Sequence, residues 1–297
     1  MRKRLLLTIA LLLTLMAFAL AGCGGQQSEQ GGGKSTLEKA RRQGYITVGF
    51  ANEAPYAYMT TDGKLTGESV EVARVILRNL GIEEMKGVLT EFGALIQGLQ
   101  AGRFDMVTAG MAILPQRAEQ VDFANPDYKV GVAIAVAADN PLDLYSYEDI
   151  AANPKVKVAA IAGGMEIGFL RDIGVSEDQI VIVPDQPSAI EALQAGRVDV
   201  ATMTGPALQT ILDAKNDPSI ERVADFEQPV IDGKSVISYG AAVFRKGDDE
   251  FREAYNAELE KLKESGELLE IIRPFGFTEE NLPGDMTAED VIQLMQE

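Results

Sequence analysis

Leu99-Gln100-Ala101-Gly102-Arg103-Phe104-Asp105 recurs along the chain as Leu193-Gln194-Ala195-Gly196-Arg197-Val198-Asp199, and the copies differ only at their sixth position. In each copy an apolar periodic stretch stops at glycine and a β-type run follows, which is typical of a helix that ends and a strand that begins. Two explanations are open: the fold uses one helix-to-strand turn twice, or the chain contains two lobes of similar construction. The second explanation places the ends of the following strands, near Gly110 and Thr204, at equivalent positions.

Strand and helix patterns alternate around the first copy of this repeat. Tyr45–Phe50 is a short β-type run, and from Glu71 to Gly81 the apolar residues are spaced as on one helix face. Residues 88–91 and 104–109 are predicted as further strands. This alternation predicts an α/β fold with a largely parallel sheet. In open sheets of this kind ligands bind beyond the carboxyl ends of the strands, so two facing sheets would form a cleft.

Two continuous apolar runs, 131–138 and 238–244, are the natural places for the chain to cross between lobes. The second is entered from a polar, turn-rich stretch, and the first is followed by Asp139-Asn140-Pro141. The predicted division is therefore residues 44–138 plus 239–275 for lobe 1, residues 139–238 for lobe 2, and residues 276–297 for a C-terminal tail with a helix.

The N-terminus has the pattern of a processed export signal. A basic start at residues 2–4 precedes an apolar run at 5–20, which is short for the roughly 20 residues that cross a bilayer. Leu20-Ala21-Gly22-Cys23 resembles the lipobox of bacterial lipoproteins, and a membrane span is the alternative. We expect residues 1–22 to be a signal peptide, Cys23 to carry lipid, and residues 23–43 to be a flexible tether. The protein would then be exported and anchored by lipid on the periplasmic or extracellular face of the cell membrane.

Composition excludes several classes of function. The chain has no His, which rules out a His-based triad and a His metal site, and its one Cys rules out an internal disulfide. The formal net charge of −18 argues against nucleic acid or an anionic membrane surface as the main partner. The sequence accordingly predicts no metal, no cofactor and no nucleic-acid partner.

Two adjacent stretches carry a resemblance to a known family. Residues 110–117 (GMAILPQR) followed by 121–126 (VDFANP) resemble the signature of family 3 extracellular solute-binding proteins, the capture subunits of amino-acid-type ABC importers. The resemblance implies a two-lobe, type II-like periplasmic-binding-protein fold, with a ligand cleft between lobes joined by two crossover strands. It also implies a monomer without catalytic residues that binds a small zwitterion and docks on permease subunits. Four further stretches are similar to ectoine- and hydroxyectoine-binding proteins: residues 49–56, 63–68, 89–93 and 273–278.

The resemblance assigns roles to several side chains. The matching Arg of the family, here Arg117, binds the ligand carboxylate, for which a planar guanidinium is well suited. From the residues alone, an Arg on the surface paired with Glu119 or Asp122 is the alternative. In ectoine binders the carboxylate matching Glu53 pairs with the cyclic amidinium. Aromatic residues at the positions of Tyr56 and Phe92 enclose that weakly hydrated cation.

The second lobe is predicted to complete the site at two places. Gly164 and Met165 follow an apolar strand at a helix start, where free N–H groups can bind an anion; a simple glycine turn is the alternative. The strand that ends at Thr204 lacks the Asp with which many family members pair an α-amino group. Ala112 also departs from the ectoine pattern, which has an aromatic residue there. The predicted ligand-binding residues are Glu53, Tyr56, Phe92, Gly110, Ala112, Arg117, Gly164, Met165 and Thr204.

Three classes of function follow from these observations. The leading one is capture of ectoine or hydroxyectoine for an ABC importer by closure of two lobes. The second is binding of a polar amino acid or other small zwitterion in the same pocket. The third is an enzyme similar to cyclohexadienyl dehydratase with Glu166 as an acid–base group, which the lack of a second catalytic group disfavours.

Overall fold

The computed structural model describes residues 35–231 and 233–296, so the predicted signal peptide and the predicted lipid attachment at Cys23 lie outside the described residues. Helices α1 to α11 are Thr36–Gln43, Glu68–Asn79, Leu95–Gln100, Pro115–Ala118, Tyr147–Ala152, Glu166–Ile173, Gln186–Gln194, Gly205–Lys215, Asp249–Ser265, Glu267–Ile272 and Ala288–Leu294. Strands β1 to β15 are Tyr45–Phe50, Tyr58–Met59, Leu65–Thr66, Glu84–Leu89, Met106–Ala112, Asp122–Phe123, Tyr128–Val130, Val132–Ala137, Val158–Ile161, Ile180–Val183, Val200–Thr204, Ile220–Arg222, Val230–Ile231, Lys234–Ser235 and Ser238–Phe244.

The first sheet has the strand order β4-β1-β5-β15-β6, and β7 also pairs with β15. Strand β1 runs parallel to β4 and β5, whereas β15 runs antiparallel to β5, β6 and β7. The carboxyl ends of β1, β4 and β5 therefore meet at one edge of the sheet. On one face the buried rings of Phe244, Phe251 and Tyr255 pack edge to face, with centroids 5.0 and 5.4 Å apart, and help to form the core.

The second sheet repeats this arrangement with the order β10-β9-β11-β8-β12, in which β9, β10 and β11 are parallel and β8 is antiparallel. The sequence repeat enters β5 in the first sheet and β11 in the second, which occupy corresponding places. This confirms that the repeat marks two similarly built sheets. The final Asp of the repeat makes the same kind of hydrogen bond in both copies. The Asp105 carboxylate accepts from the Thr47 backbone N–H at 3.1 Å, and the Asp199 carboxylate accepts from the Lys157 backbone N–H at 2.8 Å.

Of the two points where the chain changes sheet, the first differs from its predicted position and the second does not. Strand β8 belongs to the second sheet, so the first change falls at Gly131 and not after residue 138. The sequence places this apolar run at the end of lobe 1, because period and hydrophobicity do not show which sheet a buried strand joins. The second change falls just before β15, which lies in the first sheet over its predicted range 238–244. The division into lobes stays a proposal.

The two predicted terminal segments have different outcomes. Residues 36–43 are not part of a tether: they form helix α1, which Ser35 caps and whose Leu37 and Ala40 are buried. The C-terminal segment packs on the first sheet, as the amphipathic pattern of its helix predicts, since Phe277 is buried and Asn281 donates to the Lys129 carbonyl at 3.1 Å. Across the described residues, no helix combines the length and the apolar character that crossing a membrane requires.

Candidate functional site

A small cavity of about 30 Å³ lies where the strand ends of the two sheets face each other. All nine residues predicted to bind ligand line it, so the structure brings the whole predicted set together from both sheets. Six further residues that were not predicted to bind ligand also line the cavity: Tyr128, Val130, Ile161, Glu166, Gln186 and Ser238.

Arg117 lies in the short helix α4 directly after β5, and only 8% of the residue is exposed. Its Nη1 donates to the Ala112 carbonyl and its Nη2 to the Gly163 carbonyl, each at 2.8 Å. Asp122 instead pairs with Lys246 at 2.7 Å. The alternative of a surface arginine paired with a neighbouring carboxylate is therefore wrong. Burial lowers the pKa of Arg117 to about 10, which leaves it charged at neutral pH.

The turn after β9 reaches the cavity from the second sheet. The Gly164 N–H donates to the Ile161 carbonyl at 3.0 Å, so it is engaged in a turn and is not the free anion donor that the sequence predicted. Helix α6 begins two residues later, at Glu166. A Cβ on Gly164 would lie 2.7 Å from Glu166 Oε2. The absence of a side chain at Gly164 thus leaves room for the Glu166 carboxyl group.

Two buried carboxyl groups line the cavity, one from each sheet. The loop carrying Glu53 is pinned because Glu53 and Ala57 exchange backbone hydrogen bonds of 2.8 and 3.0 Å. Burial, and then the charges of Glu166 and Asp185, raise the pKa of Glu53 to about 8. Burial likewise raises the pKa of Glu166 to about 7, against the opposing effect of Arg117. Because both pKa values lie near neutral pH, these carboxyl groups gain or lose a proton in that pH range.

Three aromatic rings, those of Tyr56, Phe92 and Tyr128, line the cavity. Tyr56 and Tyr128 lie with ring centroids 5.2 Å apart, and the Arg117 guanidinium carbon lies 5.5 Å from the centroid of the Phe92 ring. Tyr128 was missed because it reaches the site from β7, a strand that no local pattern connects with Gly110. The Tyr128 hydroxyl donates to the Gly110 carbonyl at 2.7 Å. Where Ala112 presents only a methyl group, Tyr128 supplies a third aromatic ring.

Contacts also join the two sheets directly across the site. The Tyr56 hydroxyl donates to Thr204 Oγ1 at 2.8 Å, from a loop of the first sheet to the end of β11 in the second. Gly93 and Gly163 meet backbone to backbone, since a Cβ on Gly163 would lie 2.7 Å from the Gly93 Cα. This close approach depends on Gly163, where a side chain would meet the Gly93 backbone.

We expect the substitution Gly110→Ala to destabilise the protein by about 1–3 kcal/mol more than Gly102→Ala. Both glycines have positive φ, +60° and +69°, so both variants carry similar backbone strain. A Cβ at Gly110 would lie 2.5 Å from the Tyr56 ring, whereas a Cβ at Gly102 meets nothing within 4 Å. Urea denaturation of the two variants measures the difference. Equal free energies of unfolding would show that the Tyr56 ring moves aside without a measurable loss of stability.

We expect the Tm of the unliganded protein to fall by about 4 °C or more between pH 5 and pH 8. Glu53 and Glu166 have pKa values raised to about 8 and about 7, so the folded state binds more protons than the unfolded state in this range. Stability is then greatest at low pH and decreases as pH rises through the raised values. Calorimetry over this range tests it, and the double variant Glu53→Gln with Glu166→Gln should have a flatter profile. An unchanged slope in that variant would contradict the explanation.

Comparisons with known proteins identify what this architecture is similar to. The family model "Bacterial extracellular solute-binding proteins, family 3" matches residues 46–278. A probable amino-acid ABC transporter periplasmic-binding protein from Sinorhizobium fredii is 37% identical over 258 residues, which is 86% of this chain and 84% of the relative. The Escherichia coli L-cystine-binding protein is 24% identical over 86% of this chain and 91% of its own length.

Solved structures agree with the sequence comparisons. The structure of EhuB in complex with hydroxyectoine is 38% identical and has a TM-score of 0.76, covering 82% of this chain and 94% of EhuB. An ancestral amino acid-binding protein, a precursor of cyclohexadienyl dehydratase, is 25% identical with a TM-score of 0.71, covering 81% and 99%. The predicted two-lobe α/β fold class is confirmed. The relatives are binding proteins of ABC transporters and not enzymes.

Proposed function

The chain belongs to the family 3 bacterial extracellular solute-binding proteins and is a solute-binding subunit of an amino-acid-type ABC importer. From this premise, we propose that its ligand is ectoine or hydroxyectoine. The observation that supports this proposal most strongly is that Glu53 and Arg117 lie in one buried cavity with the rings of Tyr56, Phe92 and Tyr128. A carboxylate, a guanidinium and several ring faces suit a ligand with one carboxylate and one delocalised cation. The likeness to EhuB supports the same ligand class.

The second candidate ligand is a polar amino acid or another small zwitterion. The amino-acid-transport relative from Sinorhizobium fredii favours it, as does the ancestral amino acid-binding protein. Against it, strand β11 ends at Thr204 without the carboxylate with which many family members hold an α-amino group. With such a ligand, Glu166 would take the place of that carboxylate, because it lines the same cavity.

A thermal-shift and calorimetric panel separates these candidates. We expect ectoine or hydroxyectoine, at 100 times its Kd, to stabilise the protein by about 2.7 kcal/mol. Proline, glycine betaine, arginine, glutamine and cystine provide the comparison. A large shift with an amino acid and none with either ectoine would reject the ectoine assignment and leave the family membership unchanged. Small-angle scattering with the bound ligand tests closure of the proposed lobes, since closure lowers the radius of gyration.

We propose further that cleavage before Cys23 and lipidation of that residue anchor the protein outside the cytoplasm. The support is the order of basic, apolar and small residues up to Cys23. Metabolic labelling with a fatty acid tests this. We expect label in the wild-type protein and none in a Cys23→Ser variant, and label in both would reject the site.

A further inference from the structure

The charges that line the cavity do not balance. Glu53 reaches it from the first sheet and Glu166 from the second, and both are more than nine-tenths buried. Among the lining residues, all within the described part of the chain, Arg117 is the only basic one. When all three groups are ionised the site carries one net negative charge, and such a charge is costly to bury without a positive partner.

The two carboxyl groups also have spare hydrogen-bonding capacity. Within residues 35–231 and 233–296, no side chain of another residue donates a hydrogen bond to Glu53 or Glu166, and no Lys or Arg nitrogen lies within 4.0 Å of either; the Glu166 carboxyl group accepts a hydrogen bond from its own backbone N–H. Asp105, in contrast, is satisfied by the Thr47 hydroxyl at 2.6 Å and by Lys39 at 3.2 Å. A buried carboxylate accepts hydrogen bonds wherever it can. An occupant of the cavity that carries N–H groups would supply the donors that the neighbouring side chains do not.

Resting on the function proposed above, we propose that Glu166 is a specificity-determining residue that binds the cationic group of the ligand together with Glu53. The two carboxyl groups approach from opposite sheets, so a single cation between them would need at least two N–H donors. The ligand class is therefore a zwitterion whose cation carries N–H groups, such as a cyclic amidinium or an ammonium group. Gly164 has no side chain, and this leaves the Glu166 carboxyl group the space to adopt that position.

This role predicts which ligands the site rejects. The aromatic rings of Tyr56, Phe92 and Tyr128 alone would also accept a quaternary ammonium group, because ring faces attract such cations. A fully methylated nitrogen has no N–H, however, and would leave both buried carboxyl groups without donors from the ligand. Sites built to hydrogen-bond a ligand group reject analogues that lack it by large factors. We therefore expect betaines to bind at least about 100-fold more weakly than matched N–H zwitterions.

A purely structural role for Glu166 has to be distinguished from this one. Glu166 is the first residue of helix α6, and the helix dipole stabilises a negative side chain at that end of a helix. Glu166→Gln keeps the shape of the side chain and removes its charge. A structural role would change Tm without changing which ligands bind. The matched control is Glu177→Gln, which removes an exposed carboxylate that pairs with Arg171 at 2.6 Å.

The experiment is isothermal titration calorimetry at pH 8 on the wild type and both variants, with Tm recorded for each. The probes are ectoine, arginine, proline, and the betaine of proline, in which two N-methyl groups replace the two N–H hydrogens of proline. For every N–H probe that the wild type binds, we expect Glu166→Gln to lose at least about tenfold in affinity and Glu177→Gln to lose less than twofold. The betaine of proline should not bind detectably to the wild type.

The possible outcomes separate this proposal from the ligand assignment. If the wild type binds arginine or proline but not ectoine, and Glu166→Gln still loses affinity, the ectoine assignment fails and the role of Glu166 stands. If Glu166→Gln binds within twofold of the wild type, or if the betaine binds as well as proline, the role of Glu166 is wrong. Binding of none of the N–H probes by the wild type would overturn both.

Discussion

Replacing Arg117 by alanine is expected to weaken ligand binding by roughly 30- to 4,000-fold, which corresponds to about 2–5 kcal/mol. A guanidinium has five N–H donors, and Arg117 uses two of them on the carbonyls of Ala112 and Gly163. The remaining donors are free to bind a ligand carboxylate in the cavity. Removing Arg117 would leave that carboxylate buried without a partner and would also remove a bond between the two sheets.

Two further variants make the Arg117 experiment specific. Arg171→Ala removes an exposed guanidinium that pairs with Glu177, and we expect it to bind ligand as the wild type does. Arg117→Lys keeps the positive charge but loses the planar, two-pronged geometry, so its affinity should fall between those of the wild type and the alanine variant. Calorimetry with ectoine measures all three variants. Affinity of Arg117→Ala within threefold of the wild type would remove Arg117 from the site.

Glu53→Gln should weaken binding of a cationic group by at least about 30-fold and should also stabilise the unliganded protein at pH 8. The two effects have one cause. Burial raises the pKa of Glu53 to about 8, so at that pH the folded state is penalised for a charge that the unfolded chain carries freely. Glutamine is neutral in both states and escapes the penalty. It cannot, however, attract the cationic group of the ligand.

The control for Glu53 is Glu91→Gln, which removes an exposed carboxylate next to Phe92, a residue of the same cavity. We expect Glu91→Gln to change neither affinity nor Tm appreciably. Calorimetric titration and thermal unfolding at pH 8 give both readouts. A Glu53→Gln variant that loses affinity and also unfolds at a lower temperature would mean that the carboxylate supports the fold and not the ligand.

Features that depend on local chemistry were predictable from the sequence. Strands β1 and β15 lie at their predicted positions because each is a short apolar run bounded by turn residues. The helix predicted from Glu71 begins slightly earlier, at Glu68. Arg117 was correctly placed beside the cavity because a strand end and a proline turn precede it. In each case the deciding residues are close together in the chain.

Features that depend on distant contacts were not predictable in the same way. The strand predicted at 88–91 is in fact Glu84–Leu89, because its pairing with β1 decides its extent and its own sequence is weakly apolar. Tyr128 is fixed by packing on Tyr56 and by strand β15, where a Cβ on Gly240 would lie 2.0 Å from its ring. Whether Glu166 lines the cavity depends on how the two sheets face each other. A single sequence contains no direct record of such contacts.

The contact between Gly93 and Gly163 has a consequence for how tightly a ligand is held. The conformation in which residues of both sheets line the cavity is one member of a conformational ensemble. Only in this conformation can a ligand contact all the residues of the site at once. The apparent dissociation constant equals the intrinsic one divided by the population of that member. A methyl group at Gly93 would lie 3.1 Å from the Ala162 carbonyl oxygen, and the two backbones would have to shift by a few tenths of an ångström to accept it. Retention of solute can thus be tuned at a glycine that does not line the cavity, without altering which solute is recognised.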